Sequence, residues 1–120
     1  MPRSFILATL IAVALPAAAS AWEQVSDEAA FRDLVAGKAL SLRLFGVSLE
    51  VHPDGTIAGE ARGAPVSGSW TWEDGYFCRE MTWGDEPIPY NCQLVEARGD
   101  RLIRFTTDRG AGDSAAFSLR

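Results

Sequence analysis

The segment from Val66 to Val95, VSGSWTWEDGYFCREMTWGDEPIPYNCQLV, decides the fold of this chain. It holds both cysteines, both tyrosines and three of the four tryptophans. Gly68, Trp70 and Trp72 continue the phase of Val66, and serine or threonine fills the positions between them. This period of two is typical of a strand that buries one face. The segment therefore predicts a pair of antiparallel strands and a partner strand, with the two tryptophans in the core.

The two cysteines of this segment, Cys78 and Cys92, are the only ones in the chain. A bridge between them would close a loop of about 15 residues, which is worth ~3 kcal/mol in the chain-entropy estimate. The alternative is a pair of free thiols or half of a metal site. With one histidine and no C-x-x-C spacing, we expect a disulfide, no metal ion and no cofactor.

Residues 1–21 have the pattern of a secretory signal peptide. Arg3 supplies a positive charge, Phe5–Leu15 is an apolar run broken only by one threonine, and Ala-Ser-Ala at positions 19–21 is a cleavage motif. The apolar run is too short to span a bilayer, which needs about 20 residues. We therefore predict one β-rich domain over residues 22–120, periplasmic or secreted, with no stable membrane insertion after cleavage.

The charge balance excludes one class of partner. The chain has 11 basic and 16 acidic residues, and Lys38 is its only lysine. Nucleic acids and anionic membranes require clustered lysine and arginine. We therefore expect no nucleic-acid partner.

The residues before the strands predict one helix of about ten residues. Ser26 is placed to cap it, and Gly37 is placed to end it in a left-handed conformation. Its apolar stripe, which must pack on a sheet, has helical spacing: Ala30, Phe31, Leu34 and Val35.

Short alternating segments with turn residues between them occupy the rest of the chain. The Leu40–Leu44 segment is the first, and Ala115, Phe117 and Leu119 belong to the last. A spacing of 8–12 residues predicts seven to eight antiparallel strands in a meander. The helix packs on this meander, which forms a small barrel or a sandwich. An eight-stranded barrel is just wide enough for side chains to fill, so we expect ligands at a mouth, a groove or an outer face.

Arg79 is the most informative polar residue. It has the same strand phase as Phe77, Met81 and Trp83, so it points inward if they do. A buried arginine requires a carboxylate partner and full hydrogen bonding, and we expect one of three aspartates: Asp85, Asp108 or Asp113. The alternative is an ordinary strand arginine that reaches solvent.

The other candidate binding residues fall into two groups. Trp83 and Tyr90 join Arg79 at a predicted barrel mouth, and a glycine-bearing loop offers a solvent-facing polar site: Asp108, Arg109 and Asp113. Gly112-Asp113-Ser114 is similar to the nucleophile block of one esterase family, but that block belongs to a strand-to-helix turn, which is not predicted here. We predict no catalytic residues.

Three stretches carry a resemblance to a known family, namely GSWTWEDGYFCR at 68–79, YNCQ at 90–93 and TDRGAGDS at 107–114. The chain resembles a family of small exported alphaproteobacterial proteins that have no established activity and often carry the name dihydrodipicolinate reductase. Reductases of that name have a Rossmann domain and bind a nicotinamide cofactor. This chain lacks the G-x-G-x-x-G turn and the length for two domains, so none of their residues transfer to it.

Three functions remain as expectations from the sequence. The first is a non-enzymatic module that binds a protein or an envelope component through a loop-rich end. Its architecture also resembles small periplasmic barrels that inhibit lysozymes or proteases. The second is a small-ligand-binding barrel that uses Arg79, Trp83 and Tyr90 at its mouth. The third is an enzyme under the reductase name, which requires a site that the sequence does not display.

Overall fold

Nine strands and one α-helix form between residues 21 and 120 of the computed structural model, which otherwise describes only residues 4, 9, 11 and 12. The predicted signal peptide lies almost wholly outside the described residues. No helix in the described part is long and apolar enough to cross a membrane. The elements are β1 (Glu23–Gln24), α1 (Glu28–Val35), β2 (Leu40–Leu42), β3 (Val47–Val51), β4 (Thr56–Ala61), β5 (Ala64–Glu73), β6 (Tyr76–Trp83), β7 (Glu86–Arg98), β8 (Leu102–Thr106) and β9 (Ser114–Leu119).

The strands β2 to β9 form a closed antiparallel barrel. Each pairs with the next along the chain, and β9 returns to pair with β2. The short β1 adds to the outside of this circuit, where Glu23 lies opposite Ala97 of β7. The meander predicted from the strand spacing is confirmed, and the structure shows a barrel rather than a sandwich.

Helix α1 begins one residue later than predicted. The Asp27 carboxylate, rather than the Ser26 hydroxyl, accepts the backbone N–H of Ala30 at 3.0 Å. Asp27 has the extended backbone (φ −103°, ψ 129°) that a capping residue requires, so the prediction of Ser26 was wrong. Gly37 follows the helix with a φ of +67°, which confirms its predicted left-handed conformation.

The helix closes one end of the barrel with an aromatic cluster. Phe31 is fully buried, and its ring centre lies 4.9 Å from that of Trp72, 5.1 Å from Phe77 and 5.5 Å from Trp70. Arg32 of the same helix donates to the carbonyl of Pro53 at 2.8 Å, which ties the helix to the β3–β4 turn. The prediction of a core position is confirmed for Trp70, and Trp72 is partly buried and packs against the core. We call this the closed end.

The opposite end carries the other connections between strands, and we call it the open end. They are the segments 43–46, 62–63, 84–85 and 107–113. A backbone hydrogen bond from the N–H of Arg62 to Gly46 at 3.1 Å joins two of these segments, and one from Gly84 to Pro65 at 2.8 Å joins a third to strand β5.

The barrel wall has a gap between β3 and β9. Strand β9 makes five residue pairs with β8 but only two with β2. The predicted strand over Leu40–Leu44 stops at Leu42, because the chain turns into a 3-10 helix over Arg43–Phe45 and then passes through Gly46 at a φ of +62°. Residues 114–117 of β9 consequently have no described strand beside them on that side. We call this opening the side gap.

The predicted disulfide is present. Cys78 of β6 lies directly opposite Cys92 of β7, and their sulfur atoms are bonded. A structural disulfide indicates an oxidising compartment outside the cytoplasm.

Candidate ligand-binding cavity

A cavity of about 250 Å³ lies inside the barrel. Leu49 of β3 and Ala115 of β9 line it from the two sides of the side gap, and the loop that joins β8 to β9 lines it at the open end. Most of its wall is apolar. Aliphatic, thioether and phenyl side chains form this part of the wall, namely Val51, Ile57, Met81, Phe77, Phe105 and Phe117.

The cavity also has a small polar part. Arg79 and Gln93 are both buried on adjacent strands, and Thr107, Asp113 and Ser114 lie where the β8–β9 loop meets β9. Apolar walls with a few convergent polar groups are the usual composition of a small-molecule site, because the apolar surface supplies affinity and the polar groups fix orientation.

The strand β6 turns Arg79 inward, as its phase with Phe77 predicts. The residue is only 9% exposed. On the neighbouring strand the register shifts, so that Arg79 faces Asn91 while Met81 faces Ile88. This bulge falls at Pro89, and it frees the Pro89 carbonyl from the regular ladder. Nη1 of Arg79 donates to that carbonyl at 2.8 Å.

The predicted carboxylate partner of Arg79 was wrong. Within residues 21–120, no carboxylate lies at ion-pair distance from its guanidinium, and the bond to Pro89 is its one side-chain hydrogen bond. Burial away from water lowers the pKa of Arg79 below its usual value. Arginine stays protonated at neutral pH even so, which leaves a positive charge in the cavity wall with most of its N–H donors unused.

Asp108 does not form an ion pair with Arg79 because Asn91 binds it instead. Its Oδ1 accepts from Nδ2 of Asn91 at 2.8 Å, and its backbone N–H donates to Oδ1 of Asn91 at 2.9 Å. Thr107 Oγ1 accepts from the N–H of Asp113 at 2.9 Å, which closes the loop on itself. These bonds hold the loop against β7, and its Thr107 and Asp113 contribute to the cavity wall.

Four of the six predicted binding residues do not line the cavity: Asp108, which Asn91 binds, and Trp83, Tyr90 and Arg109. The Tyr90 hydroxyl donates to Glu73 on the outer face at 2.6 Å, which lowers the pKa of Glu73 and raises the pKa of Tyr90. The guanidinium of Arg109 lies 5.2 Å from the centre of the Tyr76 ring.

Trp83 donates from its ring nitrogen to Ala61 at the open end, at 2.8 Å. Of the six predicted residues, only Arg79 and Asp113 line the cavity.

One group of possible metal ligands lies within the described residues, formed by Glu73, Cys78 and Cys92. Both sulfur atoms belong to the disulfide, so neither is available as the thiolate that a metal ion would require.

The sequence reasoning missed Gln93 and Asn91. Gln93 is in phase with the fully buried Val95, and this periodicity could have placed it on the inner face. Nothing local to Asn91 indicates that its amide clamps Asp108, because that contact joins residues 17 positions apart.

Comparison of the chain with protein-family models, with curated proteins and with solved structures gave no match. The resemblance to an alphaproteobacterial family therefore stays a prediction from the sequence.

Proposed function

We propose that this protein is a non-enzymatic periplasmic or secreted barrel that binds a small, largely apolar molecule in its interior cavity. The observation that carries the proposal is the cavity, with apolar walls, a few polar groups and access through the side gap. This is the second of the three expectations from the sequence, with Arg79 retained and with Trp83 and Tyr90 removed from the site.

The cavity volume limits the size of the ligand. A protein cavity of about 150 Å³ binds benzene, which has six non-hydrogen atoms. In the same proportion, the 250 Å³ found here accommodates about ten non-hydrogen atoms. A medium-chain aliphatic molecule or a monosubstituted benzene has this size, whereas a nicotinamide dinucleotide is several times too large.

The groups around the cavity favour binding over chemistry. His52, the only histidine of the chain, lies on the β3–β4 turn at the closed end, away from the cavity. Ser114 does line the cavity, but the one side-chain hydrogen bond of its hydroxyl within residues 21–120 is to the Thr106 hydroxyl at 2.7 Å rather than to a base. A serine nucleophile requires an adjacent base, so acyl transfer finds no support.

Two neighbouring alanines on β9 allow a controlled test. Ala115 lines the cavity, whereas Ala116 projects to the opposite face of the strand. We expect Ala115→Phe to fill the cavity and to abolish calorimetric binding of a panel of acids, amides and alcohols with about ten non-hydrogen atoms. We expect Ala116→Phe to bind as the unaltered protein does. If the unaltered protein binds no member of the panel, or if both variants bind equally well, the proposal is wrong.

A separate observation favours the first expectation, binding of a protein or an envelope component. Leu44 is 95% exposed, Phe45 is 52% exposed and Trp83 is 38% exposed, and all three lie at the open end. Exposed apolar side chains of this size are typical of interaction surfaces. Cross-linking in the native compartment tests this function. If the unaltered protein captures a partner and the double variant Leu44→Ser/Phe45→Ser does not, the result would support this function. If the double variant captures the partner equally well, the result would contradict it.

A further inference from the structure

We propose that the ligand of the barrel cavity is an apolar molecule with one carboxylate group, and that Arg79 binds this carboxylate. The inference rests on the proposed function and specifies the chemical class of its ligand. The observation behind it is a buried arginine, 9% exposed as a residue, that lines the cavity and whose guanidinium has no carboxylate partner among residues 21–120.

The position of Arg79 selects a charged group over a neutral one. Taking a guanidinium out of water without an anion is unfavourable, so folds that bury arginine normally supply a carboxylate. Here the fold supplies one carbonyl, that of Pro89, to Nη1. A carboxylate accepts two parallel N–H bonds from the planar guanidinium fork, which matches the unused donors.

The apolar wall of the cavity indicates that the rest of the ligand is hydrocarbon. The rings of Phe77 and Phe105 lie against each other with centres 5.2 Å apart, and those of Phe105 and Phe117 lie 5.9 Å apart. They form a continuous apolar surface next to Arg79 in the same cavity. A ligand with its carboxylate at Arg79 would place its hydrocarbon part along these rings, away from water.

Gln93 adds a second polar contact. Its buried amide lines the same cavity, and a side-chain amide offers both donors and an acceptor. Asp113 is the one carboxylate of the lining, and it is exposed and beyond ion-pair distance of Arg79. It disfavours a bound anion, so we expect Asp113→Asn to strengthen binding of a carboxylate ligand.

A comparison of octanoate with octanamide separates the effect of ligand charge on affinity from the effect of ligand shape. Both have ten non-hydrogen atoms, and octanoate alone is ionised at pH 7. Because a charge-assisted hydrogen bond in a buried site is worth about tenfold to a hundredfold in affinity, we expect octanoate to bind that much more tightly than octanamide. Calorimetric titration of the disulfide-bonded protein measures both affinities without any substitution.

The variant Arg79→Met tests whether Arg79 is the cause of that preference. We expect it to weaken octanoate binding by about tenfold or more and to bring the octanoate and octanamide affinities together. Arg79→Lys keeps the charge but loses the fork, so we expect an intermediate preference. Equal affinities for the two probes in the unaltered protein would overturn the carboxylate assignment and leave the proposed function standing. Failure of both probes to bind would overturn both.

Discussion

Replacement of Arg79 by methionine is expected to make the protein more stable, in contrast to most substitutions of buried residues. Arg79 is only 9% exposed as a residue, and its guanidinium has no carboxylate within ion-pair distance among the described residues. An ion in a protein interior costs several kcal/mol of desolvation when it is fully buried. Methionine has a similar length, no charge and a flexible thioether, and it would pack against Met81 and Phe77 in the cavity wall.

Two opposing terms set the size of this effect. The lost hydrogen bond from Arg79 to Pro89 is worth roughly 1–3 kcal/mol because the donor is charged. Pro89 is an exposed residue, and we expect water to reach its carbonyl once the arginine side chain is removed. Exchange of buried ionic groups for apolar ones of similar volume gains about 1–4 kcal/mol in measured cases. The middle of each range, about 2.5 kcal/mol gained and about 2 kcal/mol lost, leaves an expected net gain of about 0.5 kcal/mol in the free energy of unfolding.

Urea unfolding at pH 7 measures this difference, and we expect a higher midpoint at an unchanged slope. For a domain of this size, 1 kcal/mol corresponds to about 4–8 °C in Tm. The control is Arg104→Met. That variant removes an ion pair of 2.9 Å to Glu96 and a contact of 4.4 Å to the Trp22 ring, so we expect a loss of about 1 kcal/mol. A loss of 1 kcal/mol or more in Arg79→Met would refute the reasoning, because Arg79 would then be a structural residue.

Substitutions at three further places test other parts of the structure. Replacement of Cys78 and Cys92 by alanine is expected to cost about 3 kcal/mol in urea unfolding, because the unfolded chain regains the freedom of a loop of about 15 residues; an unchanged midpoint would contradict this. Asp27→Ala is expected to cost about 1 kcal/mol, whereas alanine in place of the preceding serine is expected to have almost no effect. The hydrogen bond from Tyr90 to Glu73 raises the pKa of Tyr90 and lowers the pKa of Glu73. The contribution of this bond to stability is therefore lost as pH falls through the Glu73 pKa, and also as pH rises through the Tyr90 pKa. Glu73→Gln is expected to move the phenolate absorbance titration of Tyr90 to lower pH, and an unmoved titration would contradict the assigned bond.

Much of the fold follows from local patterns in the sequence. The alternation around Trp70 and the regular turn spacing predict an antiparallel meander, because both depend on residues that are near one another in the chain. The choice between a barrel and a sandwich depends on whether β9 reaches β2. The two pairs that close the barrel, one of which places Leu40 opposite Leu119, join opposite ends of the domain, and no local pattern encodes them.

The candidate site was predictable only in part, for the same reason. The inward direction of Arg79 follows from its phase with Phe77 along one strand. Arg79 lacks a carboxylate partner because Asn91 binds both the side chain and the backbone N–H of Asp108 in the β8–β9 loop. These contacts join segments that are distant in the sequence. The side gap was missed because Leu44 continues the alternation of β2, although the chain leaves the sheet after Leu42.

The central claim is that the barrel holds an apolar carboxylate with its charged group at Arg79. The most direct test is an NMR titration with octanoate that follows the Arg79 Nε–H signal and the side-chain methyl signals. We expect saturable shifts of Arg79 and of Leu49 and Ile57, which line the cavity, and no shift of Val35, which lies outside the cavity on the helix of the closed end. Shifts confined to the exposed side chains of the open end, or an Arg79 signal that does not move, would contradict the claim.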